Sequence, residues 1–258
     1  MHVIEIGKRK KEVADSWDKL KPSQMLQLVP LVFCFEKSWA LKVECLKILL
    51  NLEKSIWRKL TPDQVYDMLV VVEWLWTTPM KVSPVTSFQY KGGEYLLPEP
   101  RFANCSAIEF AMADFEFRKF CKPKPDLKAL NKLIGILCRP ADQRIDQAHP
   151  DWNGDPREKY NSKHADARAI LFAGLPMAVK VLVLQYTAAS FAEIQRQYKD
   201  IFETGGKGSG AGSVPAWLAC IMEIAEKGVF GDWEKTCFTP IHTILLYLKA
   251  KKEANHDQ

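Results

Sequence analysis

CSAIEFAMADFEFRKFCKPKPDLKALNKLIGILCRP, residues 105–140, decides the fold. Ser106 and Glu109 have the S-x-x-E spacing of a capping box, in which each side chain can satisfy an amide that the first helical turn leaves unpaired. Behind the box, Ile108, Phe110, Ala111, Phe115 and Phe117 supply a wide apolar surface, interrupted by Glu109, Asp114, Glu116 and Arg118. Lys122-Pro123-Lys124-Pro125 stops this helix. Leu127, Leu130, Leu133, Ile134 and Leu137 then mark a second amphipathic helix by their spacing of three and four. It closes at Arg139-Pro140, because proline disfavours helix in the residue before it. This helical hairpin is expected at the centre of a mostly α, multi-helix bundle.

Upstream, His2–Ile6 alternates and reads as a short strand or an arm. Residues 23–35 read as an apolar helix bent or shortened near Pro30. Residues 38–60 read as one long helix, with Leu41, Cys45, Ile48, Leu49, Leu52, Ile56 and Leu60 on one face. Thr61 caps the next helix, Pro62 sits at its first position, Gln64 completes a T-x-x-Q box, and the helix runs to Trp76. The similar Leu20–Gln24 and Leu60–Gln64 read as the same helix-start chemistry used twice. Residues 86–90 and 94–97, joined through Gly92-Gly93, predict a β-hairpin near 86–97 inserted in the helical body.

Downstream, residues 141–165 are rich in Asp, Asn, Gly and Pro, and predict a long polar loop. Helix resumes near Ala165 and again over residues 177–202. The glycine-rich stretch 205–213 predicts a flexible linker. The expected organisation is therefore a body over 1–204, a linker over 205–213 and a small helical C-terminal module over 214–258. The module's helices are expected over 214–226 and 240–250.

Residues 117–168 hold 12 Lys/Arg against 7 Asp/Glu, a surplus equal to the whole chain's net +5. A basic stretch of this kind either faces solvent or meets phosphate or an acidic partner. The seven cysteines show no C-x-x-C spacing, which suits free thiols in a reducing compartment. No apolar segment follows Lys8–Lys11, and the run 28–35 is too short to cross a bilayer, so a cytoplasmic protein without membrane contact is expected.

Chemistry-bearing patterns are sparse. In the glycine stretch, Gly208 follows Lys207, where a phosphate loop requires Ser or Thr. His149 and His164 share the polar loop with Asp151, Asp155 and Asp166, but not at metal-ligand spacing. Glu109 is accounted for by its cap, and Glu116 has Lys119 one turn away. Neither catalytic residues, nor a cofactor, nor a metal site is assigned. What stands out is aromatic: Trp217, Phe230 and Trp233 on the C-terminal module, and Trp152 and Tyr160 in the polar loop, are the candidate partner-binding residues. The alternative is a nucleic-acid binder using 117–168, where Phe117, Phe120, Trp152 and Tyr160 stand among cations.

The terminal segment, Trp217…Ala225-Glu-Lys-Gly228-Val-Phe-Gly231…Pro240-Ile-His-Thr-Ile-Leu245, follows a helical body with a short β insertion and a glycine linker. In that order the chain resembles uncharacterised proteins of phages and prophages of Bacteroidetes-type bacteria. Its terminal module is similar to extensions of tail-assembly chaperones, which hold a tape-measure protein while a tail is built. The resemblance implies a non-enzymatic assembly or adaptor protein in the host cytoplasm, or incorporated in a virion. Its implied partners are other phage or structural proteins, or a second copy of itself.

Overall fold

The computed structural model describes residues 1–6, 9–81, 83, 85–142, 148, 152, 154–204 and 215–256. Helices dominate, and the only sheets among these residues are two antiparallel pairs of strands. The chain divides into two units, residues 1–85 with 176–189, and residues 86–175 with 190–258.

In the first unit, β1 (His2–Ile6) pairs with β2 (Arg9–Val13), so the expected strand has a partner beside it. α1 (Pro22–Cys34) starts where Gln24 Oε1 accepts the Lys21 N–H at 3.2 Å. It continues through Pro30 to Cys34 and buries Met25, Leu28, Val29 and Val32. α2 (Trp39–Leu50) is capped by Ser38, whose Oγ accepts the Leu41 N–H at 3.2 Å. The helix expected over 38–60 stops at Asn51, which turns left-handed (φ 43°, ψ 51°) and returns its N–H to Lys47 O at 2.8 Å. Asn tolerates that conformation and ends helices with it. After the single turn α3 (Lys54–Trp57), the Thr61–Gln64 box opens α4 (Pro62–Met68) with both of its hydrogen bonds, at 3.0 and 3.3 Å. A 3-10 turn (Leu69–Val72) separates α4 from α5 (Trp74–Thr77), so the expected continuous run to Trp76 is broken. Trp17 is buried between Phe33 and Trp74, with ring centroids at 5.7 and 5.3 Å, and its indole N–H donates to Thr78 O at 2.8 Å.

In the second unit, β3 (Ser87–Tyr90) and β4 (Gly93–Leu96) form the expected hairpin. Its two-residue turn has Lys91 and Gly92 both at positive φ (46° and 82°), as the right-handed twist of a tight hairpin demands. α6 (Ala107–Phe120) and α7 (Leu127–Leu137) form the central pair, with Asp126 capping α7. α8 (Ser162–Leu171) lies on α7, and Asn161 caps it at both Lys163 and His164. Residues 205–213 lie outside the described residues. On their C-terminal side, α11 (Ala216–Glu226), α12 (Trp233–Phe238) and α13 (Ile241–His256) pack on α6 within this unit. Ala107 N–H reaches Thr239 O at 2.9 Å, and Ile241 N–H reaches Cys105 O at 3.0 Å. α10 (Lys199–Thr204) packs on α13. α9 (Met177–Gln197) contributes its first part to the first unit and the remainder to the second. By length and composition, α9 is the one described helix able to cross a membrane, and half of its apolar window is buried in the protein.

α7 and α8 approach closely at Gly135, where an added Cβ would lie 2.6 Å from the Ala165 carbonyl oxygen. The obstacle is backbone, so it yields less readily than a side chain. Gly135→Val is expected to lower stability by about 1–3 kcal/mol in urea unfolding. Gly135→Ala is expected to lose less, because the better helix propensity of alanine, about 1 kcal/mol, offsets part of the clash.

Candidate functional site

The last turn of a helix leaves carbonyls without intrahelical partners, and leaving them unpaired away from water is costly. α7 ends in such a place, since Leu137 and Cys138 have no solvent exposure. Ile134 O takes the Cys138 N–H at 2.8 Å. Gly135 O takes Arg168 Nε at 2.8 Å, and Leu137 O takes Arg157 Nη1 at 2.7 Å. Cations at this end also suit the helix dipole.

Buried guanidiniums need carboxylates. Arg157 Nε lies 2.8 Å from Asp155 Oδ1, and its Nη1 lies 3.0 Å from Glu109 Oε1. Arg139 Nη2 joins the same two acids, at 2.8 Å from Glu109 Oε2 and 3.0 Å from Asp155 Oδ2. Its Nη1 donates to Glu158 O at 2.7 Å. Arg168 Nη1 pairs with Glu158 Oε1. Asn104 donates to Asp155 at 3.3 Å and accepts the Glu99 N–H at 2.9 Å. Glu109 therefore does not close the expected capping box. Ser106 Oγ accepts the Glu109 N–H at 3.4 Å, but the Glu109 carboxylate goes to the two arginines, a stronger demand than one neutral amide.

The cluster also fastens the base of the polar loop. Leu96 and Arg139 exchange backbone bonds at 2.8 and 3.2 Å. Asp142 N–H reaches Pro156 O at 3.0 Å, and Glu158 N–H reaches Pro140 O at 2.9 Å. Both arginines and Asp155 lie on these paired segments. Cys105 Sγ lies 3.5 Å from Arg157 Nη2, and burial pushes its thiol well above the usual range, so it stays protonated. All seven cysteines are free. Each charge in this enclosed cluster is met by its opposite, and the arrangement is an anchor.

Nearby, burial raises the carboxyls of Asp114, against the opposing pull of Arg118, and Glu116, against Lys119 and Lys132. At the other end of α6, Arg101 and Phe102 stand at φ 59° and 55°. The Arg101 carbonyl accepts His242 Nε2–H at 2.9 Å, and His242 Nδ1 accepts the Tyr198 hydroxyl at 3.2 Å.

An open site lies in the first unit, a cleft of about 570 Å³ between residues 37–42 and 66–73. Ser38 and its cap start one wall; α4 and the 3-10 turn form the other. Trp39 is 57% exposed, Tyr66 69% and Val70 71%. Leu69, Val71 and Val72 are buried, so the 3-10 turn has its core contacts without Val70. Glu73 binds Lys37 at 2.6 Å through one oxygen and Lys42 through the other, which holds its carboxyl below the usual range. Lys37 also lies over the Trp76 ring, 5.1 Å from the centroid. Nothing in the residue spacing announces this cleft; its one local mark in the sequence is Trp39, directly after the Ser38 cap.

The candidate aromatics are dispersed. Trp217 packs edge-on against Phe110 at 5.3 Å and beside Phe202 at 5.4 Å. Phe230 packs on Tyr247 at 5.6 Å, and Trp233 is 46% exposed. Trp152 is half-buried, and its indole N–H reaches Asp155 O at 3.4 Å. Tyr160 is buried, with its hydroxyl pushed up to about 12 by that burial. His149 and Asp151 fall outside the described residues. His164 Nδ1 lies 3.8 Å from Glu158. Among the described residues, no three His, Cys, Asp or Glu side chains are placed to share a metal. No family model matches the chain, and neither a curated protein nor a solved structure matches it significantly.

Arg157→Met leaves Glu109 short of a partner and Leu137 O without a donor, and is expected to cost about 3–5 kcal/mol in urea unfolding. Adding Glu109→Leu is expected to restore part of that, because Arg139 and Asp155 still pair. For Glu116, the raised folded-state pKa means that the native chain binds its proton more readily than the unfolded chain. The ionised group therefore costs stability above that pKa, and the cost fades as pH falls through the carboxylate range. Glu116→Gln is expected to raise the unfolding midpoint at pH 7, with the gain vanishing near pH 4.

Proposed function

We propose that this chain is a non-enzymatic assembly or adaptor protein acting through protein–protein contacts, in the phage tail-morphogenesis setting that its sequence resemblance implies. It works in the host cytoplasm, on phage or other structural proteins, without a membrane. The exposure of Trp39, Tyr66 and Val70 in one cleft carries the reading. Large apolar side chains grouped at a surface mark sites of association. Trp and Tyr are also the residues that dominate binding energy at interfaces.

The nucleic-acid alternative draws less support. Of the cations in 117–168, Arg139, Arg157 and Arg168 are buried in the α7 anchor. Arg118 and Lys132 pair with Asp114 and Asp166, and Lys159 pairs with Glu234. The surplus in this stretch serves the interior and local pairs more than an open basic face.

With a photo-reactive phenylalanine at position 66 in the native host, irradiation is expected to give discrete protein adducts. Trp39→Ala and Val70→Glu, with unchanged circular dichroism, are expected to lower their yield about tenfold. Salt-dependent retention of labelled single-stranded DNA or RNA by the pure chain, with no adducts at position 66, would replace this reading with the nucleic-acid one.

A further inference from the structure

We propose that the Trp39–Tyr66–Val70 cleft is self-complementary and that two copies of this chain pair through it about a two-fold axis. The proposal rests on the reading of the cleft as a protein-contact surface and names its occupant.

Charge of opposite sign stands on the two walls of the cleft. The wall formed by residues 37–42 carries Lys37 and Lys42, and the facing wall, residues 66–73, carries Asp67 and Glu73. One wall is purely cationic, the other purely anionic, and the cleft is neutral as a whole. A polyanion or a polycation would find one wall attractive and the other repulsive. An isologous contact has the opposite requirement. The same patch appears on both sides, so whatever stands at one position must complement what the axis brings opposite. Walls of opposite sign meet that condition, because the cationic wall of one copy faces the anionic wall of the other.

The internal ion pairs sharpen the match. Glu73 neutralises only one of the two ammonium groups it binds. One unit of positive charge is left on the first wall. Asp67, on the second, forms no ion pair among the described residues. Each copy thus offers one uncompensated positive and one uncompensated negative charge, on opposite sides of an apolar strip. Trp39 belongs to the first side of that strip, Tyr66 and Val70 to the second, so pairing sets Trp39 of one copy against the Tyr66–Val70 side of the other. Trp and Tyr are stiff and lose little freedom on docking. Such a ring buries about 150–250 Å² when fully enclosed, and Trp39 and Tyr66 still expose 57% and 69% of theirs. That is the centre of an interface at the small end of the stable range, about 600 Å² per partner. The pair is therefore a weak one, with a dissociation constant on the order of micromolar.

Sedimentation equilibrium of the full chain, from about 1 to 200 µM, reads the outcome in that affinity range. The mass is expected to rise with concentration from 29.5 kDa towards twice that value. Lys37→Glu places like charges across the axis, and so does Asp67→Lys. Each is expected to weaken association about tenfold or more while circular dichroism stays unchanged; Asp67→Lys keeps the wild-type unfolding midpoint, and Lys37→Glu lowers it slightly because the surface pair with Glu73 is lost. An equimolar mixture of the two variants is expected to recover the wild-type affinity, because each altered wall then meets its opposite in the mixed pair. A monomer at every concentration, a dimer indifferent to both substitutions, or a mixture that stays monomeric overturns the proposal. A monomer that still forms adducts at position 66 assigns the cleft to a different protein and leaves the adaptor reading standing. Loss of both adducts and dimer removes the two together.

Discussion

The C-terminal end of α7 lies out of reach of water, and much of the second unit follows from satisfying it. Two carbonyls in that last turn require donors, and Arg157 and Arg168 supply them. Arginine suits the task because its planar fork can serve a carbonyl and a carboxylate at once and stays charged when buried. The charges then call for Glu109 and Asp155, 48 and 2 residues from Arg157 in the chain. Arg139 ties both acids to the segment that leaves the helix. One helix end thereby fixes the α6–α7 contact, the strand-like segments beside β4 and the last turn of α8.

The two units place their charged clusters differently. The second holds a buried cluster in which Arg139, Arg157 and Arg168 each meet a carboxylate. The first keeps its ion pairs at the surface and leaves Trp39, Tyr66 and Val70 outside. Burying such side chains is favourable, about 1.5–3 kcal/mol each when complete, and folding of the single chain does not collect it. Association can.

Local chemistry was legible in the sequence. The Thr61–Gln64 box, the 86–97 hairpin, the α6 and α7 boundaries and the class of fold all depend on residues within a few positions of one another, where spacing carries information. Long-range commitments were not legible. Glu109 matched a capping pattern, and nothing near it in the chain announced arginines 30 and 48 residues away. The basic excess of 117–168 looked like a surface property because composition does not distinguish a buried guanidinium from a solvated one. Leu69–Val72 is apolar throughout, so no periodicity singled out Val70 as the member facing outward. Asn51 broke the long helix through a backbone conformation that the apolar repeat on both sides of it concealed.

The way the chain shares itself between the units has a consequence for biosynthesis. The first unit is made of residues 1–85 and 176–189, with ninety residues of the other unit between them. A ribosome adding about 5–20 residues per second takes on the order of 5–20 s to cover that interval. During it, the N-terminal segment exists without the part of α9 that completes it. The second unit is likewise unfinished until α11 to α13 emerge and cover α6. Both units are therefore completed late, and the face of α6 that α11 to α13 cover stays open in the nascent chain until those helices are out.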